Sequence, residues 1–124
     1  MQGEENEVFT TWTSDLEEKD ICVMCLVGEL DVSTAPILLN DIRGVIALRK
    51  HLILDVHLLS YIDSTGLSTL LSAQTAKQEL GGSVCLVGCH GLVTKILAIT
   101  RIEQRIKCFA DVDTAVAELN KGCW

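Results

Sequence analysis

Four consecutive residues, Asp63-Ser64-Thr65-Gly66, gather side chains that could do chemistry. They follow an apolar run and precede a helical pattern. Asp63, Ser64 and Thr65 are each candidate caps for that helix, because a short oxygen-bearing side chain can accept from the free amides of a first turn. A hydroxyl placed there lies outside the backbone ladder and can face solvent. A phosphate added to it brings about two negative charges to the positive end of the helix dipole, so the fold tolerates the modification. A partner docked on the same surface would not.

Other uses of Ser64 lack their signatures. A hydrolase elbow needs G-x-S-x-G, whereas Ile62-Asp63 precede this serine. The histidine bases on offer are His51, His57 and His90, and His57 reads as a loop residue. There is no G-x-x-x-x-G-K-[ST], and no G-x-G-x-x-G after a strand, so nucleotide binding has no motif.

Six cysteines are the second chemical feature. Cys22 and Cys25 form a C-x-x-C, but a redox pair of that kind needs its first thiol at a helix N-terminus. Here both sit in an apolar strand pattern, where residues three apart point to opposite faces. Cys22, Cys25, Cys89 and His90 could number four zinc ligands, yet structural zinc pairs sit in turns or knuckles. Cys22, Cys25, Cys85 and Cys108 lie in apolar stretches, where cysteine behaves as a small buried hydrophobe. Cys108 and Cys123 are kept as candidates for redox sensing or a regulatory disulfide. No metal and no cofactor is implied.

The elements that must position these groups alternate. Val8 to Leu16 reads as a first strand, Glu17 to Asp20 as a turn, and Ile21 to Val27 as a buried strand. Gly28-Glu29-Leu30-Asp31 breaks that strand, and Ser33 or Thr34 caps a helix with Pro36 in its first turn, running to about Leu48. His51 to Val56 is another buried strand, followed by a loop with His57 and Tyr61. The helix from Asp63 has an inner stripe of Leu67, Leu70, Leu71, Ala73, Ala76 and Leu80, and Gly81-Gly82 end it. Ser83 to Val87 is a strand, Gly91 to about Ile99 a helix and Ile106 to Ala110 an edge strand. A last helix, capped by Asp111 or Asp113, buries Val112, Val116 and Leu119. Strands alternating with helices predict an α/β fold with a parallel or mixed sheet.

Length and charge bound the rest. The 124 residues suit one domain, with 1–7 an expected flexible acidic tail, 8–120 the folded domain and 121–124 a C-terminal tail. Hydrophobic residues make up 48 %, above the disordered regime, and aromatics only 4 %, so the core must be aliphatic. A net charge of -7 argues against nucleic acid and anionic membranes as partners. Residues 1–20 hold seven acids and one base, so -6 of that charge is local to the first strand and tail. No apolar run approaches the roughly 18 residues of a membrane span, and the polar start, Met1 to Glu7, is unlike a secretory signal. A cytoplasmic location is expected.

Gly28-Glu29-Leu30-Asp31 after one apolar strand, Asp63-Ser64-Thr65-Gly66-Leu67 after the next, and Gly81-Gly82-Ser83 closing the second helix together resemble the bacterial anti-sigma-factor antagonists. These are single STAS domains, and the resemblance runs from about Val8 to Leu119. It implies a STAS-like mixed sheet of four to five strands with about four helices. It also implies a non-catalytic switch that binds an anti-sigma factor and so frees a sigma factor. That partner would be a serine kinase that itself binds ATP and phosphorylates Ser64, and a PP2C-type phosphatase would reverse the step. Asp31, Ser33, Thr34, Asp63, Thr65, Gly66 and Ser68 would then line or shape the docking face. Ser68 stands where family members often carry glycine. Two other readings remain alongside: a redox-sensing thiol protein, and a STAS scaffold subunit of a sensory complex.

Overall fold

The computed structural model describes residues 8–121. The expected tails, apart from Lys121, and the candidate Cys123 lie outside the described residues. In chain order the elements are β1 (Phe9–Leu16), β2 (Ile21–Leu30), α1 (Ala35–Val45), β3 (His51–Ile62), α2 (Ser64–Glu79), β4 (Ser83–Val87), α3 (Gly91–Ile99), β5 (Lys107–Phe109) and α4 (Val112–Asn120). The strands form one five-stranded sheet in the order β1-β2-β3-β4-β5. β1 pairs antiparallel with β2, and every other pairing is parallel. This is the mixed α/β sheet with four α-helices that the alternating pattern predicts.

Strand alternation sends successive side chains to opposite faces, which gives the sheet two cores. Met24, Leu26, Leu52, Leu54, Val84 and Leu86 pack on one face under α1, α2 and α3, with Leu38, Ile42, Leu67, Leu70, Val93 and Leu97 facing them. Each such leucine contributes roughly 1.5–3 kcal/mol on burial. Ile21, Ile53, Cys85 and Val87 form the second core, covered by α4 through Ala115 and Leu119. One helix cannot cover five strands, and Trp12 on β1 is 69 % exposed.

Several sequence expectations need correction. Gly28 does not end β2. It adopts φ +108° beside a register shift between β2 and β3, so the strand passes through a bulge and continues to a buried Leu30. A Cβ at Gly28 would stand 1.8 Å from the Val8 carbonyl oxygen, so only glycine allows β1 to approach. His57 and Tyr61 are in β3, not in a loop, because Leu59 and Ile62 extend its buried face to the start of α2. α1 stops at Val45 rather than near Leu48. In α2 the inner stripe ends on Lys77, 2 % exposed, while Leu80 is 59 % exposed. The Lys77 stem runs through the packed layer, and its ammonium donates to the carbonyls of Ile46 and Arg49 just after α1. Those carbonyls lack helical partners, so the lysine acts as a cap from another helix.

Candidate functional site

α2 begins at Ser64, and Asp63 is the one residue between it and the end of β3. Asp63 is extended (φ -111°, ψ -174°), and its Oδ1 accepts from the Gly66 amide at 2.9 Å. Of the three candidate caps, Asp63 therefore takes the role. Its other oxygen, Oδ2, accepts from the Val32 amide at 3.0 Å, across 31 residues of sequence. Its own amide donates to the Leu30 carbonyl at 3.1 Å. One residue thus fastens the start of α2 to the loop between β2 and α1.

That loop is ordered by Asp31. Its Oδ1 accepts from the Ser33 amide (3.0 Å), the Ser33 hydroxyl (2.7 Å) and the Thr34 amide (3.1 Å), and the Thr34 hydroxyl lies 3.2 Å from it. The Ser33 hydroxyl, followed by the amides and hydroxyl of Ser33 and Thr34, holds the Asp31 carboxyl below the usual carboxylate range. The Thr34 hydroxyl donates to the Glu29 carbonyl at 2.8 Å and accepts from the Asp31 amide at 2.9 Å. Neither Ser33 nor Thr34 caps α1 through its side chain: Thr34 stands at the cap position with its hydroxyl turned back to the Glu29 carbonyl, and the Asp31 backbone carbonyl accepts from the Ala35 amide at 2.8 Å.

The expected docking residues therefore divide. Ser64 is exposed, and its hydroxyl has no hydrogen-bond partner among the described residues. Ser33 and Ser68 are also exposed, and Ser68 follows Ser64 by four residues on the same side of α2. Asp31, Asp63 and Thr65 are half-buried. Thr34 and Gly66 are buried and cannot offer a side-chain surface to a partner. Gly66 has a packing role: a Cβ there would lie 2.8 Å from Leu30 Cγ and 2.9 Å from both Ile62 Cγ1 and the Leu30 carbonyl oxygen. Val32, 68 % exposed beside Asp63, belongs to this surface although sequence reasoning passed over it. Its signal was an apolar residue in a short polar loop. Beyond Ser68 the exposed side of α2 continues into a groove of about 500 Å³ lined by Leu71, Ser72, Thr75 and Arg105.

A STAS domain family model matches residues 15–115. The chain belongs to the STAS domain family. Solved structures share the STAS fold at low sequence identity. An anti-sigma factor antagonist from Mycobacterium paratuberculosis is 22 % identical, with a TM-score of 0.77 over 90 % of this chain and 94 % of its own. The Bacillus cell fate determinant SpoIIAA in its phosphorylated form is 18 % identical, with a TM-score of 0.67 over 89 % of this chain and 99 % of its own. The murine anion transporter solute carrier 26 family member A9 matches with 18 % identity and a TM-score of 0.73, over 82 % of this chain and 18 % of its own. No described helix of this STAS domain is long and apolar enough to cross a membrane.

The cysteines of this STAS domain fall into different environments. Cys22 points into the first core and Cys25 to the opposite face, as strand alternation requires. The four candidate zinc ligands Cys22, Cys25, Cys89 and His90 are consequently not brought together. Burial pushes the Cys85 thiol up to about 12. Cys108 is exposed, contrary to the buried role expected of it, because β5 is a three-residue edge strand. The thiol beside it is Cys89, in the loop after β4. The neighbouring Cys89 thiol favours the ionised form of Cys108 and lowers its pKa, while the Cys108 thiol itself donates to the Ile106 carbonyl at 3.7 Å.

Proposed function

We propose that this STAS domain is an anti-sigma-factor antagonist whose binding is switched off by phosphorylation of Ser64. The observation that carries the reading is the position of Ser64. Its exposed, unpartnered hydroxyl opens α2, and Asp63 ties that point to the β2–α1 loop bearing Val32 and Ser33. The likeness to solved anti-sigma factor antagonists supports it.

In this reading the unmodified surface of Val32, Ser33, Ser64 and Ser68 docks on an anti-sigma factor, which releases its sigma factor. The partner is a serine kinase and holds the ATP. Ser64 Oγ attacks the γ-phosphorus, the bond to ADP breaks, and the serine proton leaves through a base of the partner. The dianion rests near the free amides of the first turn of α2, so the domain keeps its fold. At the interface it must be desolvated and repels acidic groups of the partner, so the complex dissociates. A PP2C-type phosphatase restores the hydroxyl. The domain performs no catalysis of its own.

The test is capture of partners by wild type, Ser64→Ala and Ser64→Glu. The alanine variant should retain an ATPase-type partner in the presence of ATP, and the glutamate variant should lose it. Equal capture by both removes Ser64 from the switch.

A further inference from the structure

On the sheet face away from α2, three side chains of different chemistry converge. Cys25 of β2 and Asp55 of β3 are direct neighbours in the parallel register. His57 follows Asp55 by two residues on the same strand, at the register shift between β2 and β3. One ligand atom each from Cys25, Asp55 and His57 lies within 4.8 Å of the other two. We propose that these three residues form a binding site for a divalent cation of the zinc type.

The donor set fits. Thiolate, imidazole and carboxylate are the ligands zinc takes, at about 2.0–2.3 Å from the metal. Three protein ligands leave a fourth position for water, the pattern of an open site. Drawing the donors onto one ion moves them by about 1 Å, and the exposed His57 side chain makes that move by giving up its ring contact with Asp55. His57 Nδ1 already meets Asp55 Oδ1 at 2.7 Å, and the His57 amide donates to the same oxygen at 3.0 Å. Both contacts come from His57 and meet the same carboxylate oxygen, so Oδ2 of Asp55 is left for a cation. On coordination the Cys25 thiol releases its proton to water.

A second observation is independent of the donors. Gly88, at φ +75°, faces the cluster from the end of β4. A Cβ there would lie 2.7 Å from His57 Cβ and 3.0 Å from Asp55 Oδ1. Only glycine lets the end of β4 come this close to the two ligands. Asp55, His57 and Gly88 line a recess of about 390 Å³ together with Asp111 and Asp113. It gives a cation a way in, and its acidic rim favours positive charge.

Cobalt(II) titrated into the full chain, after treatment with a chelator and its removal, tests the site. A thiolate-to-cobalt charge-transfer band should appear at one equivalent and be displaced by zinc. Cys25→Ser should abolish the band. His57→Gln, at an exposed position, should keep the fold and weaken binding by more than the ~10–100-fold that loss of an outer partner costs. Cys89→Ser with Cys108→Ser should leave the band unchanged. Absence of the band in wild type overturns the proposal, as does a band that survives Cys25→Ser or disappears with Cys89 and Cys108.

Discussion

The Asp63 carboxylate accepts from the Val32 amide at 3.0 Å and from the Gly66 amide at 2.9 Å, one oxygen for each. The two loops at the Ser64 surface therefore share a single bracket. Asp63→Ala removes the helix cap, which costs about 0.5–2 kcal/mol, and frees the β2–α1 loop as well. Asp63→Asn keeps one acceptor oxygen and should fall between wild type and alanine. Denaturant midpoints measure the order. Hydrogen exchange at the Val32 and Gly66 amides should accelerate together in Asp63→Ala.

Gly66 and Gly44 make a matched pair of glycine substitutions. A Cβ at Gly66 would press on Leu30 and Ile62, and Gly66→Ala should cost about 1–3 kcal/mol by overpacking. A Cβ at Gly44 in α1 would meet nothing within 4 Å. Gly44→Ala should stabilise by about 0.4–1 kcal/mol through the helix and the unfolded chain. Equal effects in thermal unfolding would contradict the packing assigned to Gly66.

The Ser64 segment was legible in the sequence because capping is local: Asp63 and Gly66 are three residues apart. The five strands and four helices were legible for a similar reason, as periodicity and glycine punctuation act over single elements. The hold of Asp63 on Val32 was not, because it spans 31 residues and its donor is a backbone amide, which every non-proline residue has. The juxtaposition of Cys25 with Asp55 depends on the register of β2 against β3, which no single strand encodes. Lys77 was missed because a hydropathy pattern reads a lysine as surface, although its stem packs like an aliphatic chain. Thr34 and Gly66 were expected at a docking surface, but their types served the turn and the helix packing.

Thiol chemistry should single out Cys108. It is exposed, and the neighbouring Cys89 thiol lowers its pKa, so more of it is thiolate near neutrality. Cys85, pushed up to about 12, should stay unlabelled in the folded protein. Alkylation followed by mass spectrometry across pH should give Cys108 the earliest midpoint among the described cysteines. Cys89→Ala removes that thiol and should move the midpoint upward. An unchanged midpoint would mean that the Cys89 contact does not tune Cys108.

His51 gives stability an acid limb. It opens β3, and its Nδ1 lies 2.6 Å from Ser83 Oγ at the start of β4. Burial first, and then the Lys50 charge, push its pKa below the ordinary 6.5. Between the folded value and 6.5 the unfolded chain therefore holds a proton that the native one does not. The contribution is fully present above pH 6.5 and is lost as pH falls through the folded value. The lowered pKa values of Asp15, Asp31 and Asp111 act further down, below about pH 4, because their ordinary values lie there. Urea midpoints measured from about pH 8 to about pH 5 should decline in wild type. In His51→Gln, whose amide can still meet Ser83, the decline should flatten. A parallel decline in that variant would assign the acid limb to other groups.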